Sequence, residues 1–126
     1  MAGKLHISID SKLKIVRVSY EGQLGQETSS RLISEAGSKA YDLNYNLLYD
    51  FSKAVINISY AEMYFFTRTR VLLTKEVANK VKSTNIVPNN EDMKSWLFMK
   101  DTARNAGLNF RTFNNEKTAI DWLIEG

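Results

Sequence analysis

Cysteine is absent from the 126-residue chain, which excludes disulfides, thiol catalysis and cysteine-bound zinc, and suits a reducing compartment. A single histidine, His6, cannot furnish a usual histidine metal site. It falls in an alternating segment where an outward structural imidazole is the simpler reading, and no G-x-S-x-G elbow exists to bring a serine to it. Phosphate-cradling glycine loops are missing too. The nearest candidate, Gly22-Gln23-Leu24-Gly25, has neither the G-x-G-x-x-G nor the G-K-[ST] arrangement that lets backbone amides surround phosphate. No stretch approaches the roughly 18 apolar residues needed to span a bilayer, and MAGKLHISID lacks the apolar run of a signal peptide. The expected location is therefore cytoplasmic, with peripheral contact at the inner face of a membrane left open.

Apolar residues at 44% and charged residues at 25% are ordinary globular proportions. One domain over residues 1–126 is expected. Seventeen basic against fourteen acidic residues leave a net charge of +3, too mild an excess to draw nucleic acid by itself. The strand aromatics Tyr20, Tyr49, Phe110 and Phe113 are too scattered to form a base-stacking sheet face, so no nucleic-acid partner is expected.

Leu5, Ile7 and Ile9 alternate with polar neighbours, and Val16, Val18 and Tyr20 do so again, which predicts a hairpin. Gly22 and Gly25 break that pattern. Leu32, Ile33, Ala36, Ala40 and Leu43 recur at helical spacing within a helix expected over Gln26–Leu43. Asn46–Phe51 is a short apolar run fitting a central strand covered on both faces. Ser59 and Glu62 make a capping box for a long second helix running into the seventies. A fourth strand is expected over Lys80–Val87, ended by Pro88, the only proline. Asn90 caps a helix over Asp92–Asn105 that Gly107 ends. Phe110 and Phe113 mark a short fifth strand, and Asn115 caps a last helix. The order β-β-α-β-α-β-α-β-α implies an α/β fold, a mixed, mostly parallel five-stranded sheet with four helices.

Asp50 at the end of the third strand invites comparison with a phosphoacceptor aspartate, but the hairpin offers only Asp10 where such a site needs an acidic pair for magnesium. A loop-capping carboxylate is the expectation. The segment from Tyr60 to Lys75, YAEMYFFTRTRVLLTK, carries more information. On a helix Met63, Phe66, Leu73 and Val77 share one arc, Tyr60, Tyr64 and Val71 another, and Phe65 and Leu72 a third. A helix apolar around most of its circumference is either buried on several sides or holds apolar surface for something else to cover. Arg68 and Lys75 share a stripe with Tyr64, with Lys80 and Lys82 following, and basic groups beside aromatics suit anionic headgroups as well as a solvated face.

The element order, together with LLYDFSKAVINIS (residues 47–59) ahead of a capped helix, resembles the STAS domain, the fold of anti-anti-sigma factors, over nearly the whole chain. In that family a D-L-S-like strand end precedes D-S-S-G or D-S-T-G, whose serine or threonine at the helix start is phosphorylated by a partner kinase. Asp50, Phe51 and Ser52 match the opening. The later positions fall on Ile58, Ser59, Tyr60 and Ala61, so one serine is kept and tyrosine stands at the usual acceptor position. Ile86–Asp92 and Gly107–Leu123 are similar to the SpoIIAA-like branch of small bacterial proteins, a likeness that implies apolar-ligand binding or membrane-surface association and no established reaction.

Together these features describe a non-enzymatic binding or regulatory module without cofactor, metal or catalytic residues. Tyr64, Phe65, Arg68 and Leu72, with Trp96 and Met99 from the next helix, are expected to border a pocket or patch for an apolar, anionic-headed small molecule or lipid, or a membrane surface. The alternative is an anti-sigma-factor-antagonist-like switch, phosphorylated near Ser59 and read by a regulatory protein. Spare apolar surface also leaves a homodimer open.

Overall fold

Asp10 closes the first turn by accepting hydrogen bonds at Oδ1 from the N–H groups of Lys12 (3.0 Å) and Leu13 (2.9 Å), the local side-chain bonding that makes aspartate a turn residue. In this computed structural model, which describes residues 3–63, 81–105, 107 and 109–125, that turn joins β1 (Lys4–Asp10) to β2 (Ile15–Leu24). The two are antiparallel, with Ile7 opposite Val18. Helix α1 (Gln26–Leu43) carries the chain across to β3 (Asn46–Ile56), parallel to β2, and ends where Asn44 turns left-handed at φ 60°. Strands β4 (Ser83–Ile86) and β5 (Phe110–Phe113), with helix α2 (Met93–Asn105) between them, extend the parallel set, and α3 (Glu116–Ile124) follows.

The result is one five-stranded mixed sheet in the order β1-β2-β3-β4-β5, the α/β arrangement expected from the pattern. Residues 60–63 are helical, placing the start of the second expected helix where the capping box puts it; its continuation lies outside the described residues. Three strand limits differ from expectation, and β3 runs on to Ile56 instead of ending at Phe51. β2 runs on through Gly22, which takes φ 128°, a conformation glycine adopts without steric cost. β4 begins at Ser83 rather than Lys80, since the N–H of Lys82 is taken by Asn46 Oδ1 at 3.1 Å.

Strand alternation sorts side chains onto two cores. On one face Val16, Val18, Leu47, Tyr49 and Phe51 meet Leu32, Ala36 and Ala40 of α1 and Trp96 of α2. On the other, Ile15, Leu48 and Ile86 meet Ala119 and Leu123 of α3. Lys82 locks that last helix from below. Its ammonium donates to the carbonyls of Trp122 and Glu125, each at 3.2 Å, supplying the positive charge that a helix C-terminus favours and that the last turn of α3 itself lacks. Lys82 therefore serves the fold at the C-terminal end of α3.

Beneath α2 the interior is less well satisfied. Tyr49, Asn85 and Thr112 stand at one register across β3, β4 and β5, and the buried Asn85 Oδ1, Thr112 Oγ1 and Trp96 Nε1 have no hydrogen-bond partner among the described residues. A buried unpaired polar atom costs about 1–3 kcal/mol. Urea unfolding should separate the two kinds of core position: Leu48→Ala is expected to lose about 2–5 kcal/mol, whereas Thr112→Val, near-isosteric and without the orphan hydroxyl, should gain about 1 kcal/mol.

Candidate functional site

The junction between β3 and the next helix is built by two local hydrogen-bond devices. Midway along β3, Ser19 pairs with Asp50 but Glu21 with Lys53, so one residue of β2 spans two of β3, a bulge that re-aims the strand on its way to the junction. Asp50 Oδ1 holds it, accepting from the Ser52 N–H (3.1 Å) and Ser52 Oγ (2.7 Å). Asp50 is thus a structural carboxylate. Ile58 is buried and pins the loop. Ser59 then starts the helix: its Oγ accepts from the Glu62 N–H (3.1 Å) while Glu62 Oε1 accepts from the Ser59 N–H (2.9 Å), the reciprocal capping box the sequence pattern announced. The Ser59 N–H, helped by its hydroxyl, holds the Glu62 carboxyl below the usual carboxylate range.

One residue further, Tyr60 is 50% exposed and its ring stacks on Phe98 of α2 with centroids 4.5 Å apart and planes 19° from parallel. Stacked aromatics at this distance attract beyond their burial alone, and here the pair bridges the start of one helix to the middle of the next. Leu97 beside it is 41% exposed. Met63 turns inward and is fully buried.

Four of the residues expected to border a binding patch, Tyr64, Phe65, Arg68 and Leu72, lie outside the described residues. The other two are placed differently from expectation. Trp96 is 0% exposed and stacks on Phe51 at 5.5 Å, and Met99, one helical turn on, packs partly buried against the same core. Trp96 floors the sheet and does not rim a surface. The helical period explains it: Trp96 and Met99 share the inward face, while Phe98, about 200° round from Trp96, reaches Tyr60. That offset puts Phe98 on the side of α2 away from the core, where Tyr60 meets it.

Among the described residues the opposite sheet face is uncovered beyond the reach of α3. There His6 of β1 pairs with Ser19 of β2, which pairs with Asp50 of β3, a row across three strands in a polar cleft of about 300 Å³ that Lys4, Glu21, Ser52 and Lys53 complete. His6 is exposed. A proton relay needs the imidazole between serine and carboxylate. Here the serine stands in the middle, and no hydrogen bond joins His6 to Ser19 or Ser19 to Asp50 among the described residues. No group of three or more metal-ligating side chains is found among the described residues either, and no helix among them is long and apolar enough to cross a membrane.

Solved structures place this architecture. An uncharacterized protein of the DUF3478 family from Shewanella loihica PV-4, described as having a SpoIIAA-like fold, superposes with a TM-score of 0.59 at 15% identity, covering 96% of this chain and 93% of that one. The anti-sigma factor antagonist SpoIIAA in its unphosphorylated form gives 0.57 at 12% identity, covering 98% of this chain and all of the other. The chain has a SpoIIAA-like, STAS-type fold. No family model matches the sequence, and no curated protein does, so the likeness is carried by structure. In this SpoIIAA-like frame the β3–helix junction, with Ser59 and the Tyr60–Phe98 stack, is the candidate site.

Its cap is testable. Ser59→Ala should cost about 1 kcal/mol in chemical unfolding. Glu62 has a lowered folded-state pKa, so its contribution is present above the unfolded value of about 4.3 and is lost as pH falls through the lower folded value. Glu62→Gln keeps the acceptor but does not titrate, so the stability difference between the native chain and Glu62→Gln should shrink on acidification. A difference constant with pH would show that the carboxylate charge is not engaged at the cap.

Proposed function

We propose that the chain is a non-catalytic binding and regulatory module whose working surface lies where the helix starting at Ser59 meets α2. The observation that supports this is the Tyr60–Phe98 stack, half open to solvent with Leu97 beside it. Exposed aromatic and aliphatic groups gathered at a helix–helix seam are what an apolar ligand or a lipid surface would cover. Tyr64, Phe65 and Leu72 follow in the sequence, with Arg68 among them to meet an anionic head. Membrane contact of this kind would be peripheral.

Co-sedimentation with anionic and with neutral vesicles tests the reading. The native chain should pellet preferentially with anionic vesicles; Phe65→Ser and Tyr60→Ala should weaken binding to both, and Arg68→Glu should remove the preference for anionic ones. Absence of binding to either vesicle type would sink the lipid-facing reading.

The second reading is a protein-interaction switch at Ser59, which rests on the exposed serine at a helix start and on a fold shared with an anti-sigma factor antagonist solved unphosphorylated. A phosphate on Ser59 would gain from the helix N-terminus, while the Glu62 carboxylate of the capping box would oppose it. Intact-mass and fragment spectra of the protein purified from its native cells decide this reading: phosphate on Ser59 supports it, and unmodified Ser59 under all growth conditions removes it.

A further inference from the structure

Strand β1 is an edge strand, paired only with β2 among the described residues. Proteins usually blunt such edges with proline, a bulge, charged side chains or shortness. β1 has no proline and no bulge, and its charges stand only at its two ends, Lys4 and Asp10. It is seven residues long, its register with β2 runs without a shift from Lys4 to Asp10, and its apolar row Leu5, Ile7 and Ile9 is left partly open, with Leu5 39% and Ile9 49% exposed.

Its sequence, KLHISID, is complementary to itself when reversed. Antiparallel pairing of two copies centred on Ile7 sets Lys4 opposite Asp10, Leu5 opposite Ile9, His6 opposite Ser8 and Ile7 opposite Ile7. Residues directly opposite in an antiparallel pair share a face, so the two apolar rows join into one strip on the face that carries α1, and each end of the strand is closed by an ion pair. Parallel pairing would set Lys4 against Lys4 and Asp10 against Asp10. A slip of two residues would leave both charges without their opposites, and a slip of one would turn the apolar row to the wrong face. The charges therefore select both the direction and the register.

We propose that β1 is the interface for a second copy of this chain, forming a two-fold dimer with a continuous ten-stranded sheet. A two-fold contact is self-complementary by necessity, which is the property the strand displays. An interface confined to one edge is small, and its dissociation constant is expected on the order of micromolar or weaker. The inference is independent of the ligand surface on the second helix.

Sedimentation velocity of the full chain over a concentration series should show a monomer–dimer equilibrium. Lys4→Glu places two like-charge pairs in each dimer and should raise the dissociation constant about tenfold. Register is read separately, since the chain has no cysteine of its own. Directly opposite residues lie within disulfide reach, whereas diagonal ones do not. Under oxidation Ile7→Cys should cross-link to itself, and Leu5→Cys should cross-link to Ile9→Cys when the two variants are mixed but not to itself. A monomer at all concentrations would overturn the proposal. So would a dimer in which the Leu5→Cys and Ile9→Cys mixture cross-links no better than either variant alone.

Discussion

Burial of β3 on both faces is the constraint on which the other elements depend. Leu47, Tyr49 and Phe51 enter one core and Leu48 the other, so a single strand joins two hydrophobic layers. Each such side chain withdrawn from water is worth about 1.5–3 kcal/mol, and β2 beside it joins the same layers through Val16, Val18, Tyr20 and Leu24 on one face and Ile15 on the other. With β3 fixed, α1 and α2 must lie on one side and α3 on the other. The junction that follows β3 is then delivered to a defined place at its C-terminal end, where α/β sheets ordinarily present their binding groups.

That position also governs the precision of the junction. The bulge held by Asp50 and Ser52, the buried Ile58 and the Ser59–Glu62 box act in series within about a dozen residues. Asp50 and the Ser59–Glu62 box satisfy backbone N–H groups that would otherwise be left without partners, and Ile58 anchors the loop between them. Two polar side chains that a catalytic reading would seize on are engaged in the fold, and a third is badly placed. Asp50 holds a bulge, Lys82 closes the end of α3, and His6 stands next to a serine that separates it from the carboxylate.

Much of this was legible in the sequence because the signals were local. Alternation in residues 5–9 and 16–20 named the hairpin, Gln26–Leu43 was recoverable from its helical period, and the Ser59–Glu62 and Asn115 caps are short-range patterns with one geometric meaning. What local patterns could not supply was direction in space. Trp96 looks like a candidate for a binding surface until Phe51 is known to lie beneath it. Tyr60 and Phe98 meet across 38 positions of chain, which no period predicts. The length of β3 was missed for a related reason: residues 52–56 alternate poorly because a bulge interrupts the pleat, so Ser52 and Lys53 lie exposed side by side before Ala54 turns inward.

The two readings of the junction make incompatible demands on one hydroxyl. As a cap, Ser59 Oγ must stay at the Glu62 N–H with the Glu62 carboxylate close by to complete the box. As a phosphate ester, the same oxygen would carry up to two negative charges toward that carboxylate, and the box would have to open. A switch could be built from that conflict, since the helix start would loosen when phosphate arrived, but Glu62 makes the unmodified state the better satisfied one. The aromatic surface makes no such demand. Tyr60 projects from a helix whose start is held firm by the cap, and a firm cap keeps its ring stacked on Phe98, so the device that weighs against a phosphoserine is the one that an aromatic binding surface requires.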